Sequence, residues 1–160
     1  MRTIKSIFSE DQSDRKNPDF IGEDKYLYYK KRDQQRRLEV KKLLSKKEVE
    51  TGGDLYKAAI IFHHSQNISD LKKAKQLCEK STNKKFIKSK WLYAAITDRM
   101  LIHEGKPQKF GTQYLKKNKK DNWKLAKYDK KTTDHERSLY NVPSIEKIKE
   151  QIAKLNGKIP

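Results

Sequence analysis

Apolar residues recur along the chain at the three- and four-residue spacing of helices, in six blocks. The first covers about 3–15 and stops before Asn17-Pro18, because a residue preceding proline is driven out of the helical region. The second and longest covers about 24–47, with Asp24 as its N-cap. Thr51-Gly52-Gly53 breaks it, and Asp54 caps a third helix over about 55–65. That helix is apolar almost all round through Ala58, Ala59, Ile60, Ile61 and Phe62, which predicts a central position. A fourth helix, about 70–80, turns Leu71, Ala74, Leu77 and Cys78 inward. A fifth, about 84–103, carries Ile87, Trp91 and Ala94 in one row and stops at Gly105-Lys106-Pro107. From Gln108 to Tyr140 the periodicity fades into an irregular segment, with a short hairpin around 118–121. Pro143-Ser144 opens a last amphipathic helix, striped by Ile145, Ile148, Ile152 and Leu155 and ended by Gly157.

The expected fold is therefore all-α: a compact bundle of five or six helices, with an irregular basic segment before the C-terminal helix. Residues 1–115 are expected to form a helical core domain holding any site. Residues 116–140 form a lysine-rich irregular segment, and 141–160 an amphipathic helix packed on the core.

Charged residues interrupt the apolar rows. On the first helix the row reads Ile4, Phe8, Asp11, Arg15; on the second, Tyr26, Tyr29, Asp33, Arg36, Val40, Leu44. On the fifth, Asp98 follows Ile87, Trp91 and Ala94, with Leu101 and Ile102 beyond. His64 follows five apolar residues on the third. A buried ion costs several kcal/mol, roughly, unless it is paired. Asp and Arg on the core side of several helices should therefore meet one another, and Asp98 should find Arg15, Arg36, Arg37 or His64. Such a set is either an ion-pair network fixing helix register or the lining of a polar pocket between helices.

Composition sharpens this. The chain has 160 residues, a net charge of +18 and 38% charged residues, with a mean hydropathy of -1.10. Of its 39 basic residues 32 are Lys and 7 are Arg. Lysine is spread along the chain, whereas Arg15, Arg36, Arg37 and Arg99 fall beside the aspartates. Where arginine is chosen over lysine, a planar bidentate partner is the physical reason. The densest basic stretch, Lys106–Lys131, holds ten Lys interleaved with Phe110, Tyr114, Trp123 and Tyr128. It is either a solvated loop whose aromatics pack inward or a weak, salt-sensitive nucleic-acid surface. A single cysteine, no long apolar run and no apolar leader predict a cytoplasmic protein without membrane attachment.

The residues resemble an uncharacterised family of small, mainly bacterial helical proteins. The matching strings are Asp11-Gln12-Ser13-Asp14-Arg15, Arg32-Asp33-Gln34-Gln35-Arg36-Arg37, Asp54 through His64, Trp91 through Asp98-Arg99, and Gly105-Lys106-Pro107-Gln108-Lys109-Phe110-Gly111-Thr112-Gln113. The resemblance covers about Asp11 to Gln113 and implies a site without implying a reaction. The family is not strongly basic, which speaks for lysine bias rather than a shared nucleic-acid function.

Two functional readings fit these residues. In the first, a polar Asp/Arg/His pocket serves a hydrolase, lyase or isomerase acting on an anionic small molecule or peptide. His64 is then the acid/base group, Asp33 or Asp98 its orienting carboxylate, and Arg36 or Arg99 the anion anchor, with Asp11, Arg15, Gln108, Thr112 and Gln113 contacting ligand. In the second, a noncatalytic basic protein binds nucleic acid or an acidic partner. No metal centre is expected, because His63, His64, Asp11, Asp14, Asp33 and Asp98 form no recognised ligand spacing. The residues point to no particular cofactor.

Overall fold

The computed structural model describes residues 2–16, 26–118 and 120–158. It is mostly helical: α1 (Ile4–Lys16), α2 (Tyr26–Ser45), α3 (Gly52–His63), α4 (Ile68–Asn83), α5 (Lys88–His103), α6 (Asp134–Leu139) and α7 (Ile145–Leu155). Two short strands, β1 (Tyr114–Leu115) and β2 (Lys124–Leu125), pair antiparallel. That pairing is the expected hairpin, and α6 is a helix that the periodicity does not foretell. The chain divides into two units, Met1–Ser89 and Lys90–Pro160.

In the first unit α3 packs against α1, α2 and α4, the central place its all-round apolar face predicts. Leu55, Ala58, Ala59, Ile61 and Phe62 are buried, with Ile4 and Ile7 from α1, Val40 and Leu43 from α2, and Leu71, Ala74, Leu77 and Cys78 from α4. Helix starts differ from those expected. Thr51, not Asp54, caps α3, its hydroxyl accepting the Asp54 N–H. Asn67 caps α4 two residues ahead of the predicted start, accepting the Ser69 N–H. The proposed break at Asn17-Pro18 and cap at Asp24 lie outside the described residues. α2 ends with Lys47 at φ 58, and the Glu48 N–H reaches back to the Leu43 carbonyl. This closure normally takes glycine.

In the second unit Ala94 of α5, Phe110, Val142, and Ile148 and Ile152 of α7 form the core, with Tyr114, Trp123, Leu125, Tyr140 and Ile145 packed around it. The α5 stripe needs correction. Ile87 and Trp91 are exposed, whereas Leu92, Ala95 and Ile96 are buried. The helix begins at Lys88, so Ile87 precedes it, and Trp91 on its first turn lies outside the buried face that Ala94 and Asp98 share with Leu92, Ala95 and Ile96. Leu155 at the end of α7 is likewise exposed. Gly105 and Gly157 end α5 and α7 at positive φ, as their places in the sequence predict. Among the lysine-rich aromatics, Trp123 packs on the core and exchanges backbone bonds with the Asn156 side chain. Gln108 and Tyr128 form an isolated bridge. Phe110 is buried, and Tyr114 and Trp123 pack around the same core, so these aromatics turn inward.

The first turn of α3 supplies a paired test. A Cβ on Gly52 would stand 2.9 Å from the Phe86 Cβ and 3.2 Å from the Lys84 carbonyl, whereas one on Gly53 finds only ring carbons at 3.5 Å and beyond. Gly52→Ala should destabilise by about 1–3 kcal/mol in urea melts, the usual cost of overpacking. Gly53→Ala should be neutral or slightly stabilising, because alanine favours a helix.

Candidate functional site

Two polar clusters stand in the fold, one in each unit. The first is built where α1 packs on α2. Glu10, Asp11 and Asp14 come from α1, and Arg32, Asp33 and Arg36 from α2. Arg15 donates from Nε and Nη2 to Asp11 at 3.0–3.2 Å and from Nη2 to Asp33 at 2.9 Å. Arg36 reaches Asp33 at 2.9 Å and Glu10 at 3.1 Å, and makes a short bond to Asp14. Arg32 adds a 2.7 Å bond from Nε to Asp14. Asp11 and Arg36 are each only 1% exposed.

Burial alone would push the Asp11 carboxyl up, but the hydrogen bond and charge of His64, and then those of Arg15, outweigh it and hold the pKa at about 2. Asp14 is also lowered: its desolvation is overcome by hydrogen bonds from Arg32 and Arg36. Arg2, Arg15, Arg32 and Arg36 face Glu10, Asp11, Asp14 and Asp33, so these four cations and four anions balance before His64 and the outlying Glu39, which Arg2 also meets, are counted.

His64 sits at the C-cap of α3 with Nδ1 3.2 Å from the Asp11 carboxylate. An ionised carboxylate accepts only, so Nδ1 carries the proton and Nε2 is the nitrogen left for another partner. A cavity of about 380 Å³ opens at this end of the cluster, lined by Arg15, Tyr29, Lys30, Asp33, Arg37, His64, Ser65, Gln66 and Asn67. Arg37 is not among the expected ligand contacts. Its Nε is anchored 3.2 Å from Asp70, which also accepts the Ser65 hydroxyl at 2.8 Å. Neither Nη of Arg37 has a protein partner among the described residues. The Ser65 hydroxyl is engaged twice, donating to Asp70 and accepting the Asn67 N–H, which suits a brace rather than a nucleophile.

The second cluster is a carboxylate wrapped by a loop. Asp98 of α5 is fully buried. One oxygen accepts the N–H groups of Lys109 and Phe110, each at 2.7 Å. The other accepts the Thr112 N–H at 2.9 Å and its hydroxyl at 2.8 Å. The expected arginine or histidine partner is replaced by loop donors, which stabilise a buried carboxylate as a cation would and also fix the loop. Gln108, fully buried, completes the loop. Its amide donates to the Gln113 and Ala126 carbonyls and its oxygen accepts the Gln113 N–H. Gln113 donates to Thr112 and, at 3.4 Å, to the Ala95 carbonyl. Gly111 has φ 90, with Ile145 and Ile148 both 3.3 Å from where a Cβ would lie. Arg137, 2% exposed, donates from Nε to the Phe110 carbonyl and from Nη1 to the Thr132 carbonyl and Asp134. Arg99 is half-buried on α5.

The expected site residues therefore sort by unit. Asp11, Arg15, Asp33, Arg36 and His64 share the first cluster. Asp98, Arg99, Gln108, Thr112 and Gln113 belong to the second unit, where the donors and acceptors of Asp98 and Gln108 are taken up by the loop itself. The carboxylate at the His64 ring is Asp11. Arg32, Arg37 and Arg137 are not in the expected set, although the rarity of arginine marks them as it marks the others. Among the described residues no group of three or more His, Cys, Asp or Glu is placed to hold a metal ion, and no helix is long and apolar enough to cross a membrane. Cys78 is buried and its thiol is pushed up to about 12 by that burial. No family model, curated protein or solved structure matches the chain.

Each cluster is open to measurement. Asp98→Asn replaces an oxygen that accepts two bonds with an NH2 that accepts none, and should cost about 2–4 kcal/mol in urea melts. A melt unchanged by this substitution would mean that the loop does not rest on the carboxylate. Asp11, held at about 2 against an ordinary 3.8, contributes stability that is fully present above about pH 4 and is lost as pH falls through 2. The contribution is about 2 kcal/mol. Asp11→Asn should flatten that part of the stability–pH curve. An unaltered acid limb would contradict the assignment.

Proposed function

We propose that the first unit binds a small anionic ligand in the cavity beside His64, with Arg37 as the anion anchor and His64 as a group that exchanges a proton with the ligand. One juxtaposition carries this reading. A histidine fixed by a buried carboxylate and an arginine fork with both terminal nitrogens unengaged line the same cavity. A guanidinium anchored through Nε presents two parallel donors, which match a carboxylate or phosphate edge. Asp11 orients the imidazole through Nδ1, the arrangement by which a carboxylate positions a histidine for acid–base work. Asp33 and Asp70 are each already engaged by arginines, which leaves the Arg37 terminal nitrogens as the donors facing the cavity. On this reading the Asp98 loop is a framework.

The test is an NMR titration with glutarate and, separately, inorganic phosphate, following the Arg37 Nε–H and His64 ring signals. Saturable shifts of both are expected with at least one anion at millimolar concentration, and Arg37→Gln should abolish them while leaving the fold intact. Shifts that stay linear with anion, or that persist in the Arg37→Gln variant, would refute the site.

A further inference from the structure

The cavity does not end at Arg37. A second hollow of about 230 Å³ shares Arg37, Ser65 and Asn67 with the first and extends past Leu38 to Lys41. Tyr29, Asp33, Arg37 and Lys41 lie at four-residue steps on α2, a single ridge of the helix. The two hollows adjoin along α2, beside Ser65 and Asn67 of the α3–α4 connection. The twelve steps from Tyr29 to Lys41, at 1.5 Å each, span about 18 Å. A compact metabolite fills a fraction of that length, whereas about five residues of extended chain, at roughly 3.3 Å each, fill it all.

Resting on the anion-site reading above, we propose that the ligand is an extended peptide segment that places an acidic side chain or its C-terminal carboxylate on Arg37. The lining chemistry favours peptide over a polyphosphate or nucleic-acid backbone. Gln34, Gln66 and Asn67 contribute three carboxamides. Gln34 and Gln66 are exposed with no protein partner among the described residues, and the Asn67 oxygen caps α4, leaving its NH2 as a donor. A carboxamide offers a donor and an acceptor together, which is what a peptide backbone presents at each residue, whereas a phosphate chain only accepts. Exposed Leu38, at 47%, gives the groove an apolar contact that an oligophosphate would not use. The Arg37 fork at the junction takes one carboxylate, and Lys41 farther along already faces Asp70.

The experiment uses the whole chain and a library of N-acetylated pentapeptides in which glutamate is fixed at each position in turn, read by competition and by NMR shifts, with glutarate and a five-residue oligothymidylate as comparators. Acidic pools should bind at least tenfold more tightly than glutarate, with one glutamate position preferred and with affinity lost in trimers. Gln34→Ala, a surface change that spares the fold and lies outside the anion cavity, should weaken peptide binding three- to tenfold and leave glutarate binding unchanged. Pools that bind no better than glutarate, or a Gln34→Ala variant without effect, overturn the peptide proposal while leaving the anion site standing. Oligothymidylate competing better than every pool overturns it in favour of nucleic acid. If glutarate, phosphate and peptides all fail to move Arg37 and His64, the anion-site reading falls as well.

Discussion

An ionised carboxylate and a guanidinium, each about 1% exposed, lie at the α1–α2 contact: Asp11 and Arg36. Neither charge is tolerable there alone, since stripping one partner from a buried pair costs about 3–5 kcal/mol. The requirement that they be paired dictates which faces of α1 and α2 meet, because Arg36 must reach Asp14, Glu10 and Asp33 while Arg15 bridges Asp11 to Asp33. The network consumes nearly all of its own hydrogen-bonding capacity. His64 meets it at Asp11, and the cavity opens there.

The two clusters solve the same electrostatic problem differently. Asp98 is neutralised by N–H groups of its own loop and a threonine hydroxyl, so its solution is complete and closed. Asp11 is neutralised by side chains, one of which, the imidazole, keeps a nitrogen uncommitted. Closed satisfaction builds a frame; incomplete satisfaction beside a cavity builds a place for a ligand. The lysines take little part in either. The first unit carries 22 basic and 13 acidic residues and the second 17 and 8, an equal excess in each. Charge is therefore distributed over the chain rather than gathered into one unit.

Periodicity makes part of this structure legible in the sequence. Ala58 to Phe62 mark the central helix, Gly105 and Gly157 mark helix ends, and Asp11, Arg15, Asp33, Arg36 and His64 stand out as groups that must meet because they interrupt apolar rows. The burial of Asp98 is legible on the same ground. Its partners are not, because backbone donors leave no signature in side-chain identity. Ile87 is misplaced because α5 starts at Lys88, four residues later than the periodicity suggests, and Trp91 because it stands on the exposed first turn of that helix. Arg37 is legible in composition but not in periodicity: it stands one position beyond the buried row, at the edge where the network meets the cavity. Helix α6 is hidden at the end of the irregular segment, since its six residues are defined by a Thr133–Glu136 capping box and the buried Arg137 rather than by any apolar stripe.

Asp11 fixes the His64 ring so that Nδ1 carries the proton and Nε2 is left for a ligand. Nitrogen-15 NMR of the histidine side chains reads this proton. With His64 neutral, the expected signature is the Nδ1–H tautomer with a slowly exchanging, downfield Nδ1 proton, and reversion to the ordinary tautomer mixture in Asp11→Asn. A wild-type His64 protonated on Nε2, or an Nδ1 proton unaffected by the Asp11→Asn change, would contradict it.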